Sequence, residues 1–353
     1  MSCHAGLYVV PALLAEAEAL NAPLAEMLRA LSVAYEIVAR VARAWTPADA
    51  AVHSHARYSA IGAAAACCAL RKVPESTWRD ALSAAFTLSV AGPRNHMVRG
   101  ALVRNVWPAV GAWCGMMSVH WAQCGISGLA TSADDAFTDA LHGTPHPDEL
   151  TVDLGSAWAV LDGYHKIHAC CQHAHSAVEA ALALRGDLMQ AGGVDAVSAI
   201  TVAAHPHALP LVNYEPPTTL AAKFSLPHII SAALVHGNAG VAAFATSALM
   251  AKDVAALRTK VEVVPFESAL APPNDRPARV EVKLRDGGML TQECLSARGG
   301  PDRPFTQTEI LSKIATLTAS AYPDFASIVQ RTCELDPQRL RQGWAEVVSE
   351  FCA

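Results

Sequence analysis

Residues 279–285 read Arg279-Val-Glu-Val-Lys-Leu-Arg285, and Asp286-Gly287 and a second run, Met289–Leu295, follow them. Apolar and charged residues alternate in the first run, which predicts a strand with one solvated face. Asp-Gly between two such runs favours a tight turn, so the stretch predicts a β-hairpin. The runs 199–203 and 261–264 predict two further strands. These four strands indicate that part of the chain has an α+β fold.

The remaining sequence is helical in pattern. The runs 7–20 and 23–45 have helical spacing, and no convincing strand occurs before about residue 166. Hydrophobic residues make up 52% of the chain but aromatic residues only 6%, which favours packed helices with small side chains. We therefore predict a mainly α fold with an inserted α+β domain. The predicted boundaries are 1–165 and 304–353 for the helical domain and 166–303 for the α+β domain.

Charge and hydropathy exclude several classes of partner. The net charge of −6, with no basic tail, argues against nucleic acid. Residues 105–133 carry no Asp, Glu, Lys or Arg, but Pro108 and several polar residues interrupt them. A spanning helix is more uniformly apolar, so this stretch predicts a buried central helix with small residues at Gly111 and Gly115, and no membrane association.

Cysteine usage and the search for cofactor motifs point to a simple intracellular setting. The ten cysteines occur as adjacent pairs or singly inside apolar runs, and no signal peptide precedes them. We interpret them as reduced thiols of a cytoplasmic protein. No glycine-rich loop stands in the strand–turn–helix setting that nucleotides and flavins require, so no cofactor is expected.

The densest group of titratable residues is Lys166-Ile-His-Ala-Cys-Cys-Gln-His-Ala-His175, followed by Glu179. If this stretch is helical, His168, Cys171, His175 and Glu179 lie on one face. Such a face fits a metal site, a polar core seam, or an acid/base and anion-binding site. The spacings typical of structural zinc sites are missing, and Lys166 beside several imidazoles suits a carboxylate. We favour the acid/base interpretation, and a zinc-binding module on residues 166–175 stays as a weaker alternative.

Other candidates each have a structural alternative. His53 precedes a helix rich in small residues, where it could bind an anion or simply be an exposed loop residue. Arg104 stands just before the charge-free stretch and could be an ordinary helix-end arginine. Lys223 and His228 lie in an apolar region and could be a solvated lysine and a core histidine.

Five segments, taken in order, carry a family resemblance. They are His4-Ala-Gly6 with Val9-Val-Pro-Ala-Leu-Leu-Ala; His53 with Gly62-Ala-Ala-Ala-Ala; Arg104 through Gly125-Ile-Ser-Gly128; Lys166 with Cys171, His175 and Glu179; and Ala222-Lys-Phe-Ser-Leu-Pro-His228. Together they resemble the MmgE/PrpD family, which includes 2-methylcitrate dehydratase, cis-aconitate decarboxylase and iminodisuccinate epimerase. The match extends over essentially the whole chain.

The resemblance implies a large helical domain, a smaller α+β lid domain and a homodimer. It also implies metal-independent chemistry on a small di- or tricarboxylate, in which side chains remove a proton next to a carboxylate. We therefore expect a dehydratase- or decarboxylase-type lyase, with an epimerase of an iminodisuccinate-like substrate as the alternative. By position, the catalytic residues would be His4, His53, Lys166 and His228, and the substrate-binding residues Arg104, Cys171, His175 and Lys223.

The chain departs from the family pattern in several places. Arginine stands at 104 where the family has lysine, histidine stands at 228 where it has tyrosine, and His168-Ala replaces Tyr-Pro. Arg104 keeps the charge but does not give up a proton at ordinary pH. The sequence begins three residues before His4, whereas the family carries an Asp…Thr pair there. These departures support a further alternative, a catalytically weak homologue that acts as a binding or oligomeric protein.

Overall fold

A computed structural model describes residues 3–48, 51–88 and 92–352, without the side chain of Cys352. The chain divides into two compact units. Unit 1 comprises Met1–Arg94, Val103–Gly163 and Gln307–Ala353, and unit 2 comprises Asn95–Leu102 and Tyr164–Thr306.

Helices dominate unit 1, and unit 2 carries the longer strands. In chain order the helices are α1 Ala5–Ala19, α2 Leu24–Ala44, α3 Ser54–Arg71, α4 Glu75–Thr87, α5 Asn95–Arg99, α6 Trp107–Gln123, α7 Ser132–Asp134, α8 His175–Gln190, α9 Thr219–Ala222, α10 Leu226–His236, α11 Thr246–Leu249, α12 Lys252–Arg258, α13 Gln307–Thr318, α14 Phe325–Cys333, α15 Pro337–Arg341 and α16 Trp344–Cys352. The strands are β1 Trp45–Thr46, β2 Thr144–Pro145, β3 Val197–Ala204, β4 Val261–Pro265, β5 Ala278–Leu284 and β6 Met289–Cys294.

Unit 1 is organised around α3, which packs against α1, α2, α4 and α6. Its alanines and cysteines from Ala56 to Ala69 are almost fully buried. The contact between α3 and α6, which we call the seam, requires glycine at position 115, because a Cβ there would collide with the carbonyl oxygen of Ala60. Small side chains on both helices therefore let the two backbones approach closely.

The charge-free stretch forms α6, but it is buried on one face only. Gly111 and Gly115 lie on the buried face, whereas Trp113 is 57% exposed on the other side. The predicted buried helix with small residues at Gly111 and Gly115 is therefore buried on one face and exposed on the other. Within the part of the chain that the structure describes, no helix combines the length and apolar character needed to cross a membrane.

Unit 2 contains a four-stranded sheet in the order β4-β3-β5-β6. β3 pairs parallel with β4, and β5 pairs antiparallel with both β3 and β6. The predicted hairpin is confirmed as β5 and β6, joined at Gly287, whose φ of +93° suits glycine. α8 packs against β5 and β6. The chain thus has the mainly α fold with a smaller α+β part that its sequence predicts.

One segment of the predicted helical domain belongs to unit 2. Residues 95–102 cluster with unit 2, because Met97 is buried in that unit's apolar core. The hydroxyl of Thr218 also donates to the carbonyl oxygen of Gly100 over 3.1 Å. The segment is therefore held by side-chain packing and hydrogen bonding that its own sequence does not reveal.

The predicted helix over 166–179 is only partly right. α8 begins at His175, so His175 and Glu179 share a face, whereas His168 and Cys171 precede the helix. The backbone N–H of Ala169 donates to the carbonyl oxygen of Ala239, and that of Cys171 donates to the carbonyl oxygen of Lys223. These bonds to distant loops replace the bonds that a longer helix would make.

Candidate active site

Unit 1 places three histidines side by side at the starts of α1 and α3. His4 is the N-cap of α1 and His53 the N-cap of α3, and His55 lies between them. The ring centroid of His55 is 5.0 Å from that of His4 and 4.4 Å from that of His53. Tyr8 and Trp107 complete this group, which we call the histidine cluster. The structure therefore brings two of the predicted catalytic residues together.

The helix packing of unit 1 explains why the cluster forms. A Cβ at Gly62 of α3 would lie 2.9 Å from the Cβ of Tyr8, so the glycine permits the close approach of α1 and α3. The backbone N–H of His53 donates to the carbonyl oxygen of Gly92 over 2.8 Å. The ring of Trp107 stands 5.7 Å from the His53 ring. His53 is consequently fixed from its backbone and from its side chain.

The electrostatic environment of the cluster is cationic. Burial, followed by the charges of Arg104, His4 and Arg94 in that order, lowers the pKa of His53 to about 3. Burial also raises the pKa of Tyr8 well above its usual range. Arg104 is half-buried, and its Nη1 donates to Oδ1 of Asn105 over 3.3 Å. A neutral His53 ring beside Arg104 favours an anionic ligand over a cationic one.

In unit 2, Lys166 lies on residues 164–171, which we call the lysine loop, and Lys223 lies in a separate segment that is hydrogen-bonded to this loop. Both lysines are close enough to Cys170 for their charges to act on its thiol. Burial raises the pKa of its thiol to about 12, while both Lys166 and Lys223 act to lower it. Both lysines are half-buried, and the Cys171 N–H bond to the Lys223 carbonyl ties the two segments together. Lys166, Lys223 and Cys171 thus lie in one region of unit 2.

His175 and Glu179 support the lysine loop from α8. His175 is only 1% exposed, and its Nδ1 lies 3.2 Å from the hydroxyl of Tyr164. Its ring centroid is 5.1 Å from that of His168. Glu179 accepts the backbone N–H of Arg298 over 2.8 Å. This burial favours a role for His175 in holding the loop rather than the predicted contact with substrate.

His228 lies in the interior of unit 2. Its side chain is fully buried, its Nε2 is 3.1 Å from the carbonyl oxygen of Ala243, and its Nδ1 is 3.3 Å from Nη1 of Arg258. Arginine only donates, so Nδ1 accepts and Nε2–H donates. Because both ring nitrogens are occupied, the geometry does not support the predicted catalytic role of His228.

A third group of imidazoles was not singled out from the sequence. The ring centroids of His173, His205 and His207 are 5.3 to 6.0 Å apart, and Nε2 of His205 is 3.0 Å from the carbonyl oxygen of His173. Across residues 3–48, 51–88 and 92–352, no group of three or more His, Cys, Asp or Glu side chains is arranged to hold a metal ion. That range includes residues 166–175, the alternative zinc segment.

Sequence reasoning missed several members of both groups. His55 could have been found from its place two residues after His53, at the first turn of the same helix. Tyr164 stands two residues before Lys166, and its contact with His175 depends on a loop path that spacing does not give. Tyr8 and Trp107 looked like ordinary apolar helix residues.

Comparison with known proteins gives three matches. The model of the MmgE/PrpD N-terminal domain matches residues 1–149, and that of the MmgE/PrpD C-terminal domain matches residues 168–335. The chain is also similar to "Cis-aconitate decarboxylase-like protein oryM" of Aspergillus oryzae (strain ATCC 42149 / RIB 40). The two are 27% identical over 345 residues, which cover 90% of this chain and 70% of that protein.

Proposed function

This chain belongs to the MmgE/PrpD family, and on that premise we propose that it is a lyase acting on a small di- or tricarboxylate. Family membership and the cis-aconitate decarboxylase-like relative support a dehydratase- or decarboxylase-type enzyme. The substrate class and the absence of a cofactor requirement are parts of the proposal. The observation that carries it is the hydrogen bond from the backbone N–H of Cys171 to the carbonyl oxygen of Lys223, which joins the Lys223 segment to the loop that contains Lys166.

The lysine loop and the adjoining Lys223 have the chemistry for binding carboxylates. Lys166 and Lys223 carry point charges on flexible stems, and half-burial limits the water that competes for them. A proton next to a carboxylate becomes easier to remove when cations stabilise the enediolate charge that develops. We assign both lysines to substrate binding and to this stabilisation, with Lys166 as the stronger contributor.

The histidine cluster has the chemistry for handling the proton. His4 and His53 are imidazoles near an arginine, and Arg104 favours the binding of an anion beside them. The charge that family members place at position 104 is kept here by a guanidinium, which binds a carboxylate with two parallel hydrogen bonds. We assign His4 and His53 to the reaction and Arg104 to orientation of the substrate.

The proposal is tested by incubating the full chain with cis-aconitate, citrate-like tricarboxylates and dicarboxylates in D₂O. Proton NMR follows loss of water, loss of CO₂ and exchange of the proton next to a carboxylate. Exchange without loss of either group would identify the epimerase alternative. We expect Lys166→Ala and His53→Ala each to reduce turnover by at least about 10²-fold, the scale for loss of a positioned catalytic group.

Matched controls come from exposed residues of the same types. Lys252 and His236 lie at helix ends on the surface of unit 2, so Lys252→Ala and His236→Ala should leave turnover unchanged. Unaltered turnover in both Lys166→Ala and His53→Ala would reject the proposed site. Dialysis against a chelator should also leave turnover intact, and stoichiometric zinc in the purified protein would contradict metal independence.

We also propose that the chain forms a homodimer through the outer face of α6. Val106, Val110 and Trp113 are 50%, 38% and 57% exposed and follow one another at helical spacing. Because residues 105–133 carry no charge, two copies of this face can meet without like-charge repulsion. Sedimentation should give twice the monomer mass, and Trp113→Glu should shift it to the monomer. Met250→Glu, at an exposed residue of unit 2, is the control.

A further inference from the structure

His53 caps α3 with its side chain, which is uncommon for histidine. Its φ of −67° and ψ of 140° are extended, as an N-cap requires, and the backbone N–H of His55 donates to its Nδ1 over 3.1 Å. A ring nitrogen that accepts a hydrogen bond carries a lone pair there. The neutral His53 ring therefore holds its proton on Nε2.

The surroundings oppose every other protonation state. A proton on Nδ1 would face the His55 N–H and break the cap. A doubly protonated ring would put a positive charge at the N-terminal end of a helix, where the backbone dipole already presents positive charge. The groups that act on His53 are Arg104, His4 and Arg94, and each disfavours added charge. The His53 side chain is also 8% exposed, so water does little to offset these effects.

We propose that His53 acts as a permanently neutral imidazole whose Nε2–H donates a hydrogen bond to a substrate carboxylate oxygen, and that the start of α3 locks this tautomer. The catalytic half of this inference rests on the proposed function, whereas the tautomer lock stands on the hydrogen bond itself. A base at Nε2 needs a lone pair there, and the cap keeps that lone pair on Nδ1. His53 consequently keeps its proton throughout, and another group removes the proton from the substrate.

A neutral donor suits the developing enediolate. Removing a proton next to a carboxylate moves negative charge onto the carboxylate oxygens. A hydrogen bond from a fixed N–H to these oxygens is therefore stronger in the transition state than in the ground state. A neutral imidazole held at a helix N-terminus stabilises developing charge in this way without being able to take up the proton. His4, at the start of α1, is the other histidine of the cluster that we assign to the reaction, and it is left for proton transfer.

The tautomer is tested without any activity assay. In full-length protein with ¹⁵N-labelled histidine, long-range ¹H–¹⁵N spectra distinguish protonated from unprotonated ring nitrogens, and the His53→Asn spectrum assigns the signals. We expect Nδ1 unprotonated and Nε2 protonated from about pH 5 to about pH 8, the range in which an ordinary histidine titrates. An unprotonated Nε2, or titration inside that range, would overturn the proposal.

Two substitutions then separate the cap from the donor. Asn at 53 can still cap the helix through Oδ1 but has no group at the Nε2 position. Gln places an N–H donor near that position and has no basic nitrogen. We expect His53→Asn to lower kcat by about 10²- to 10³-fold, and His53→Gln to recover at least about tenfold of that loss with an unchanged pH profile.

The two outcomes of the activity arm are distinct. If His53 were the base, His53→Gln would be as inactive as His53→Asn, and the acidic limb of the pH profile, where a base takes up its proton, would disappear in both. That result overturns the donor role. If the wild-type chain turns over none of the carboxylates, the proposed function fails, while the NMR result still decides the tautomer lock.

Discussion

Nη1 of Arg258 lies 3.3 Å from Nδ1 of His228 in the interior of unit 2. Burial, ahead of any charge, lowers the pKa of His228 from its ordinary value of 6.5 to about 4. The imidazole is therefore neutral in the folded chain wherever the enzyme is expected to work. This pair replaces the proton-transfer role that the family position suggests with a contribution to stability.

That contribution has a definite dependence on pH. The unfolded chain binds a proton near pH 6.5, whereas folded His228 remains neutral until about pH 4. Its stabilising effect is thus complete above about pH 6.5 and is lost as the pH falls towards 4. Between pH 7 and pH 5, the free energy of unfolding of His228→Gln should fall by about 2 kcal/mol less than that of the wild type.

Urea unfolding at the two pH values measures this difference. His236→Gln, at an exposed histidine of the same helix, is the control and should follow the wild type. Equal losses of stability in His228→Gln and the wild type would show that the buried imidazole takes up its proton at an ordinary pH.

The glycines of the α3–α6 seam should tolerate no added methyl group. Gly115→Ala puts a Cβ against the Ala60 carbonyl oxygen, and overpacking of this kind costs about 1 to 3 kcal/mol. Gly186→Ala is the matched control, because Gly186 lies inside α8 with nothing within 4 Å of its added Cβ. That substitution should stabilise by up to about 1 kcal/mol. Thermal unfolding of the two variants shows whether each substitution raises or lowers stability. A stabilised Gly115→Ala variant would refute the close approach of α3 and α6.

A buried ion pair should hold the segment that follows α7. Nε of Arg40 donates to Oε1 of Glu36 over 2.7 Å, and Nη1 of Arg40 donates to the carbonyl oxygen of Val152 over 2.7 Å. Oε2 of Glu36 accepts the backbone N–H of Ala159 over 2.6 Å. Arg40→Met leaves a buried carboxylate uncompensated and should cost about 3 to 5 kcal/mol.

Limited proteolysis should show where that stability is lost. In Arg40→Met, cleavage is expected first between residues 150 and 160, whose carbonyl and amide groups the pair binds. Lys72→Met breaks an exposed pair with Glu26 and should change stability by no more than about 1 kcal/mol. Cleavage elsewhere in Arg40→Met would show that the pair does not anchor this segment.

Thiol reactivity gives a direct check on the lysine loop. Cys170 is 2% exposed and burial raises its pKa to about 12, so iodoacetamide should leave it unmodified in the native chain. Cys124 and Cys333 are exposed and should react first. Mass spectrometry of the digested protein gives the order in which the cysteines are modified. Rapid native modification of Cys170 would contradict the buried loop on which the placement of Lys166 and Lys223 depends.

Much of the fold could be predicted from the sequence, because local signals and tertiary structure agree there. The hairpin at 279–295 combines period-2 alternation with an Asp-Gly turn, and both survive in β5 and β6. The segment 166–174 could not be predicted in this way, because its local pattern and its tertiary structure disagree. Its spacing fits a helix, but its backbone hydrogen bonds go to Lys223 and Ala239, and no local pattern encodes partners more than 50 residues away.

The candidate site divides in the same way. His4 and His53 could be predicted as a pair from family position, and the close packing of α1 and α3 brings them together. The tautomer of His53 could not be predicted from the sequence, because it depends on the hydrogen bond from the backbone N–H of His55 to Nδ1 of His53. His228 was assigned to chemistry because histidine can shuttle protons, whereas burial and Arg258 decide what it does.

The tightness of the α3 seam also bears on how sequence variation in this family should be interpreted. The alanines between Ala56 and Ala69 are almost fully buried, so a larger side chain at one of these alanine positions would meet neighbouring atoms, whatever it did to the reaction. A saturation mutagenesis library scored for activity should therefore show a band of intolerance along α3 that equals that of His53. Only a parallel score for folded protein would separate the two, because intolerance at these alanines would reflect side-chain volume rather than catalysis.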